Sequence, residues 1–260
     1  MKKYIGYRDA DLQTPWARFL RPLAAQQRAD IQAALERGPL PAGALPPLER
    51  ASDLLAPGYT AHETGYTLEA DGSLRVAVLT PMPGVTPAMW AWWFGWHGSH
   101  DNRYKLWHPV AHRSAQWKDG DQGREGYLGR VSLIEEYIGP KMEKGHIAFL
   151  PPAAMGLAVP DDQNEMVCIC ARVGLSQVPI YAGWLLHQVR RSPEGAEMRS
   201  RFWMGGRHVQ WRGAPAWASA PLRPFARLPR HRAEELLRHC GEEMQHLSGF
   251  LPELWRANNP

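Results

Sequence analysis

The chain has 260 residues, of which 44% are apolar and 22% charged, a composition that supports one substantial core and excludes a disordered protein. Its net charge of +4 is modest. The densest basic stretch, Arg223 to Arg232, is interrupted by prolines, so no nucleic-acid partner is expected. No run approaches the ~18 apolar residues of a membrane span, so no membrane partner is expected either.

The basic Met1-Lys2-Lys3-Tyr4 is followed by no apolar segment, which argues against a secretory signal. Thr14-Pro15 carries the signature of a helix start, and a helical stretch is predicted from there to Arg37. Gly38-Pro39-Leu40-Pro41 breaks it, and a proline-rich linker leads to a short helix over Leu48 to Leu55. His62 to Glu69 and Ser73 to Thr80 alternate about Asp71-Gly72, a hairpin signal. Pro81 to Val85 reads as a turn. Thr86-Pro87 then opens a Trp-rich helix that runs to Trp96.

The segment His97 to Gly129 is polar, rich in histidine and irregular, as functional loops are. Strands are predicted over Arg130 to Ile138, Gly145 to Leu150, Glu165 to Val173, Ala182 to Arg190 and Glu197 to Met204. The last two are joined by Ser192-Pro193-Glu194-Gly195. Residues 207–229 read as irregular. A long helix closes the chain from Arg230 to Leu251, with Leu236, Leu237, Cys240, Met244 and Leu247 apolar. Consecutive antiparallel strands followed by one long helix predict an α+β fold of the helix-grip kind, a curved sheet around a C-terminal helix, as in Bet v 1-like and START-like proteins.

Twelve tryptophans, with Trp90, Trp92, Trp93, Trp96 and Trp107 close together, suit either a dense core or a flat pocket for an aromatic ligand. The three cysteines are an odd number, and Cys168 and Cys170 suit one face of a buried strand, so reduced thiols in a cytoplasmic protein are expected.

Four groups of residues are able to carry chemistry. His239 and Glu243 stand four apart on the terminal helix and share one face, where an imidazole and a carboxylate can meet one metal ion. Glu235 and His246 flank them at helical spacing. His108 and His112 have the same spacing, with Pro109 between them; one or both can reach a metal from a loop, and the alternative is that they hydrogen-bond the loop's backbone. Glu135 and Glu136 lie on opposite faces of a strand, so one points inward and needs a partner, a proton or a metal. His187, in an apolar strand, is either a satisfied core histidine or a site residue.

Several long segments resemble the 2,4-diacetylphloroglucinol hydrolase family, which includes phloretin hydrolase-like enzymes. They are Leu54-Leu55-Ala56-Pro57-Gly58-Tyr59, Thr80-Pro81-Met82-Pro83-Gly84-Val85-Thr86-Pro87 and Trp92-Trp93-Phe94-Gly95-Trp96-His97-Gly98. Arg103-Tyr104-Lys105-Leu106-Trp107-His108-Pro109, Glu136-Tyr137-Ile138-Gly139, His187-Gln188-Val189-Arg190 and Glu197-Met198-Arg199-Ser200-Arg201-Phe202-Trp203 continue the likeness in order.

The resemblance implies a zinc-dependent hydrolase that cleaves the carbon–carbon bond between an acyl group and a phloroglucinol-type ring, with a small acylphenol as substrate. The zinc ligands it implies are His112, Glu136, His239 and Glu243. Tyr104 and Trp107 would contact substrate, and His187 would act as a proton donor near the ring. Ala115 and Phe202 stand where the family pattern carries an asparagine and a tyrosine, so substrate contacts differ there. The resemblance also implies a helical N-terminal domain over residues 1–58, a Bet v 1-like catalytic domain over residues 59–260, and a homodimer. The competing readings are a phloretin-type dihydrochalcone hydrolase and a non-catalytic carrier of an aromatic ligand.

Overall fold

A computed structural model of the protein describes residues 6–24, 26–121 and 126–259; the basic segment Met1 to Tyr4 lies outside them. Among the described residues, nine strands form one antiparallel sheet: β1 (Gly65–Leu68), β2 (Leu74–Pro83), β3 (His112–Trp117), β4 (Val131–Ile138), β5 (Lys141–Leu150), β6 (Met166–Leu175), β7 (Ile180–Ser192), β8 (Gly195–Met204) and β9 (Gln210–Trp211). Their order is β1-β2-β8-β7-β6-β5-β4-β3, with β9 pairing on β7. Two helices, α3 (Pro87–Trp96) and α4 (Asp101–Trp107), separate β2 from the β3–β8 meander. The long helix α5 (Arg230–Ser248) follows the meander and packs on β1 and β2. Strand, helix pair, antiparallel meander and long C-terminal helix make the α+β, Bet v 1-like helix-grip arrangement predicted from the strand and helix order.

The register of the sheet is interrupted locally. A bulge falls between Val173 and Gly174 of β6 where it pairs with β7. A Cβ on Gly174 would lie 2.2 Å from the Ile180 carbonyl oxygen, and one on Gly183 would lie 2.3 Å from that of Trp203. Glycine alone allows those backbones to approach so closely. The two faces are then covered differently. The concave face carries the main core, in which Trp90, Trp93, Leu237, Cys240 and Met244 are buried. The convex face carries a smaller cluster, in which Leu54 packs with Cys168, Cys170, Leu186 and Trp203. Cys168 and Cys170 therefore share one face, as alternation requires, and all three cysteines are free and buried.

Several local expectations are corrected. The helix predicted from Thr14 to Arg37 is broken: after the short α1 (Asp9–Leu12), a 3-10 turn covers Ala17–Phe19, and α2 begins only at Ala29 (Ala29–Arg37). Pro22 has no N–H for a helical bond and pushes its predecessor out of helical geometry, which stops the helix there. Phe19, Ile31 and Ala34 nevertheless join the main core. Pro81 to Pro83, predicted as a turn, continue β2 and pair with Glu197, Ala196 and Gly195 of β8. β1 covers only Leu74 to Ala77 on the other side, so the prolines sit where the strand has one ladder partner and loses no second bond.

The segment predicted as irregular, 97–129, contains α4 and the edge strand β3. Its polar sequence His112-Arg113-Ser114-Ala115-Gln116-Trp117 hides the strand, because an edge strand buries only part of its residues. The terminal helix ends at Ser248, and Gly249 and Phe250 separate it from α6 (Leu251–Asn258). Thr86 is the N-cap of α3 with Pro87 in the first turn, as predicted, although its hydroxyl makes no capping bond. Among the described residues, no helix is long and apolar enough to cross a membrane.

Candidate metal centre and cavity

The grip of the sheet on α5 leaves a cavity of about 340 Å³. Its wall is mostly aromatic and aliphatic, with Phe94, Trp107, Phe149, Phe202 and Leu236 among the lining residues. Polar groups interrupt that wall: Tyr104, Glu136, His239 and Glu243 in one cluster, and His187 against Phe94 and Phe202. A largely apolar concavity with a few converging polar groups is how small-molecule sites are built.

Three elements deliver the polar cluster. His112 begins β3, and the register pairs it directly with Glu136 of β4. Inward alternation of β4 puts Glu136 on the cavity wall, while Glu135 faces the other way and pairs with Lys144 at 2.8 Å and Arg113 at 3.5 Å. From α5, His239 and Glu243 point inward one turn apart, both buried. His112 Nε2 lies 3.4 Å from His239 Nε2, 3.4 Å from Glu243 Oε2 and 3.4 Å from Glu136 Oε2. His239 Nε2 lies 3.7 Å from each of the two carboxylates.

His112, His239 and Glu243 offer ligand atoms that all lie within 4.8 Å of one another, a set able to hold a metal ion. Edges of 3.4–3.7 Å suit ligand distances of roughly 2.0–2.2 Å, those of imidazole and carboxylate on a borderline divalent ion such as zinc. The imidazole of His112 is oriented for it. Its Nδ1 lies 3.0 Å from the Tyr104 carbonyl oxygen, which can only accept, so Nδ1 holds the hydrogen and Nε2 presents its lone pair to the cluster.

The electrostatics also ask for a cation. Burial pushes the Glu243 carboxyl well up, and the Glu136 and Glu242 charges push it further. Burial lifts Glu136 to about 7, against the hydrogen bond from the Tyr104 hydroxyl. Burial, with the neighbouring His239 and His108, drives His112 well below the usual histidine range. The ion-pair partners of Glu136 and Glu243 are the histidines His112 and His239, and no lysine or arginine answers either carboxylate among the described residues. Two buried carboxylates beside two imidazoles, that of His112 kept neutral, fit a metal ion, whose positive charge reverses these preferences.

The remaining predicted residues fall around this cluster. Tyr104 stacks on His112 with ring centroids 3.8 Å apart and planes 5° from parallel. Trp107 stands edge-on to His112 at 5.4 Å. His108 lies behind, its Nε2 3.0 Å from Glu242 and its ring stacked 5.0 Å from His239. His187 faces the cavity from β7, with Nδ1 2.7 Å from the Ser200 hydroxyl and Phe202 edge-on at 5.9 Å. Burial lowers its imidazole to about 3, so it is neutral at physiological pH. Ala115 is buried in the core but is not a wall residue; its N–H donates to Asp101 Oδ1 at 3.1 Å.

Among the wall residues that the sequence motifs do not single out are His97 and Ser132. Ser132 had a legible signal, because it shares strand parity with Ile134 and Glu136. His97 had none, since its position depends on the turn after α3.

Comparison with known proteins bears directly on this site. The family model described as "DAPG hydrolase PhiG domain" matches residues 45–256, which include the whole cluster. The chain belongs to that family, and it is a hydrolase. It is 27% identical to 2,4-diacetylphloroglucinol hydrolase of Pseudomonas protegens, over 98% of this chain and 88% of that protein. It is also 27% identical to phloretin hydrolase of Eubacterium ramulus, over 96% of this chain and 93% of that protein. Among solved structures, Ara h 8.0201 aligns with a TM-score of 0.44 and 13% identity, over 70% of this chain and 99% of that one.

Proposed function

We propose that this DAPG hydrolase family member is a zinc-dependent hydrolase that cuts the carbon–carbon bond between an acyl group and a phloroglucinol-type ring. The observation that carries the reading is the meeting of His112, Glu136, His239 and Glu243 at the wall of an aromatic cavity, with Tyr104 donating to Glu136. A zinc ion held there would supply Lewis acidity and make water nucleophilic near neutral pH.

The chain's own residues supply the rest. Apolar walls formed by Phe94, Trp107 and Phe202 take the ring and exclude bulk water. Tyr104, locked by its stack on His112, orients an oxygen of the substrate. A polyhydroxylated ring tautomerises to a ketone, which makes its acyl-bearing carbon a stable leaving group. Water adds to the acyl carbonyl, the bond to the ring breaks, and the electron pair passes to the ring carbon. His187 begins neutral, takes the proton given up by the water and returns it to that carbon, so the imidazole ends neutral. The products are a carboxylic acid and the deacylated phenol.

A dihydrochalcone such as phloretin is the second substrate class, favoured by equal identity to the phloretin hydrolase. We read the setting as reducing and cytoplasmic, in keeping with three free buried thiols whose ionisation burial suppresses. The family reading also expects a homodimer, which sedimentation velocity measures.

Metal analysis of the purified chain, followed by mass spectrometry of 2,4-diacetylphloroglucinol and phloretin reactions, tests the function. About one zinc per chain with acid and phenol released is the expected result. Metal-free protein that binds either compound without cleaving it would establish a carrier instead.

A further inference from the structure

Among the polar groups on the cavity wall that have no part in the chemistry above, two lack a hydrogen-bond partner on one atom among the described residues. The first is His97, in the turn after α3. Its Nδ1 lies 2.9 Å from the Trp93 carbonyl oxygen. A carbonyl only accepts, so Nδ1 carries the ring hydrogen, and Nε2 of the neutral ring is left as a pure acceptor. Burial, reinforced by the Arg103 charge, lowers the imidazole to about 4 against the bond to Trp93, so this tautomer holds at neutral pH. The ring is fixed on its neighbours, 5.4 Å from Trp93 and 5.8 Å from Tyr104 in stacked contacts, with Phe94 edge-on at 5.7 Å. Its Nε2 makes no hydrogen bond to any described residue, although the ring lines the cavity.

The second is Ser132 on β4. It is 1% exposed and lines the cavity, and its hydroxyl has no hydrogen-bond partner among the described residues. The β3–β4 register sets Ser132 opposite Trp117, and His97 lies 6.5 Å from that same indole. Trp117 thus ties the two together, as the register partner of Ser132 and a ring neighbour of His97. Buried polar groups are nearly always satisfied, so an unpartnered pair facing a cavity marks where a ligand's own polar atoms belong.

We infer that His97 Nε2 and Ser132 Oγ form a hydroxyl-recognition subsite, which selects aromatic ligands by the number of their ring hydroxyls. His97 takes the hydrogen of a phenolic hydroxyl, and Ser132 donates to a second ring oxygen. The inference rests on the reading of the cavity as an acylphenol site, and it adds the residues that count the hydroxyls. A ligand without a hydroxyl to offer leaves His97 desolvated and unpaired, which is the strongest form of discrimination against it.

Calorimetric titration of the purified full chain with phloroglucinol, resorcinol and phenol tests this, with wild type, His97→Leu, His97→Gln and Ser132→Ala compared. Wild type is expected to bind phloroglucinol more tightly than phenol. Ser132→Ala should weaken phloroglucinol about ten-fold and leave phenol, which has no second ring oxygen, nearly unchanged, whereas His97→Leu should weaken both about ten-fold. His97→Gln, which keeps an acceptor, should recover part of the loss. Ser132→Ala removes a single oxygen and decides the matter where His97→Leu fails to fold. Unchanged phloroglucinol affinity in the folded variants overturns the inference, as does an equal loss for all three phenols in Ser132→Ala, which marks a packing role. Wild type that ranks the phenols by hydroxyl number yet cleaves no acylphenol defeats the hydrolase reading alone.

Discussion

Tyr104 holds His112 in two ways at once: its carbonyl accepts the Nδ1 hydrogen at 3.0 Å, and its ring stacks on the imidazole at 3.8 Å. One residue thus sets the tautomer and the tilt of a candidate ligand, and its hydroxyl also reaches the Glu136 carboxylate. Replacing Tyr104 with Phe separates these tasks. The backbone bond and the stack survive in the variant, while the hydroxyl is lost. Metal content should stay near wild type and kcat/KM should fall about 10- to 100-fold, in line with loss of an orienting hydrogen bond. Steady-state kinetics beside metal analysis gives the answer, and a Tyr104→Phe enzyme with full activity would remove the hydroxyl from the mechanism.

His239→Ala removes one of the two imidazoles of the cluster. Metal should be lost together with turnover, and the variant should melt lower than metal-loaded wild type, because an ion bound only by the folded state stabilises it. Chelation of wild type should reproduce the lower melting temperature, and re-addition of zinc should reverse it. A chelator that leaves the melting curve unmoved would show that no metal contributes.

Glu63 sits against Arg199 and Arg201, two buried guanidinium groups on β8. Burial opposes its ionisation, but hydrogen bonds from Arg199 and Arg201, the Arg201 charge and the Thr60 hydroxyl outweigh that and bring it down to about 2 from 4.5. Because the folded-state value is the lower one, the stabilisation is fully present above pH 4.5 and drains away as pH falls towards 2. Glu63→Gln should lose about 3 kcal/mol at pH 7, as a buried pair broken on one side does, and its stability should respond less to acid in that window. Urea unfolding at pH 7, 4 and 3 measures both effects.

Gly183→Ala places a methyl against the Trp203 carbonyl, where a Cβ would approach to 2.3 Å. The backbone must shift, so a loss of about 1–3 kcal/mol is expected, together with weaker ligand binding as the β7–β8 curve relaxes. Thermal unfolding and phloroglucinol titration of the same sample follow the two consequences.

What could be read beforehand followed from periodicity. The helix order, the meander and the His239/Glu243 face of α5 all rest on repeats of two or four residues that survive folding. The choice between Glu135 and Glu136 did not, since alternation says that one is inward without saying which; the pairing of His112 with Glu136 is a register fact between strands. β3 stayed hidden because an edge strand has little apolar alternation to show. The break before α2 was legible at Pro22, but the apolar residues around it continue a helical pattern. His97 was out of reach, because its acceptor role depends on a single bond to Trp93.

The crowding of indoles around the cluster has an optical consequence. Trp107 is edge-on to His112 at 5.4 Å and close to Trp90 and Trp93, and all three are shielded from solvent. Their emission should start blue-shifted and then quench or shift when an ion or an aromatic guest settles within a few ångströms. The protein therefore carries its own dye at the place where binding occurs, and a cuvette can follow occupancy in real time without a label.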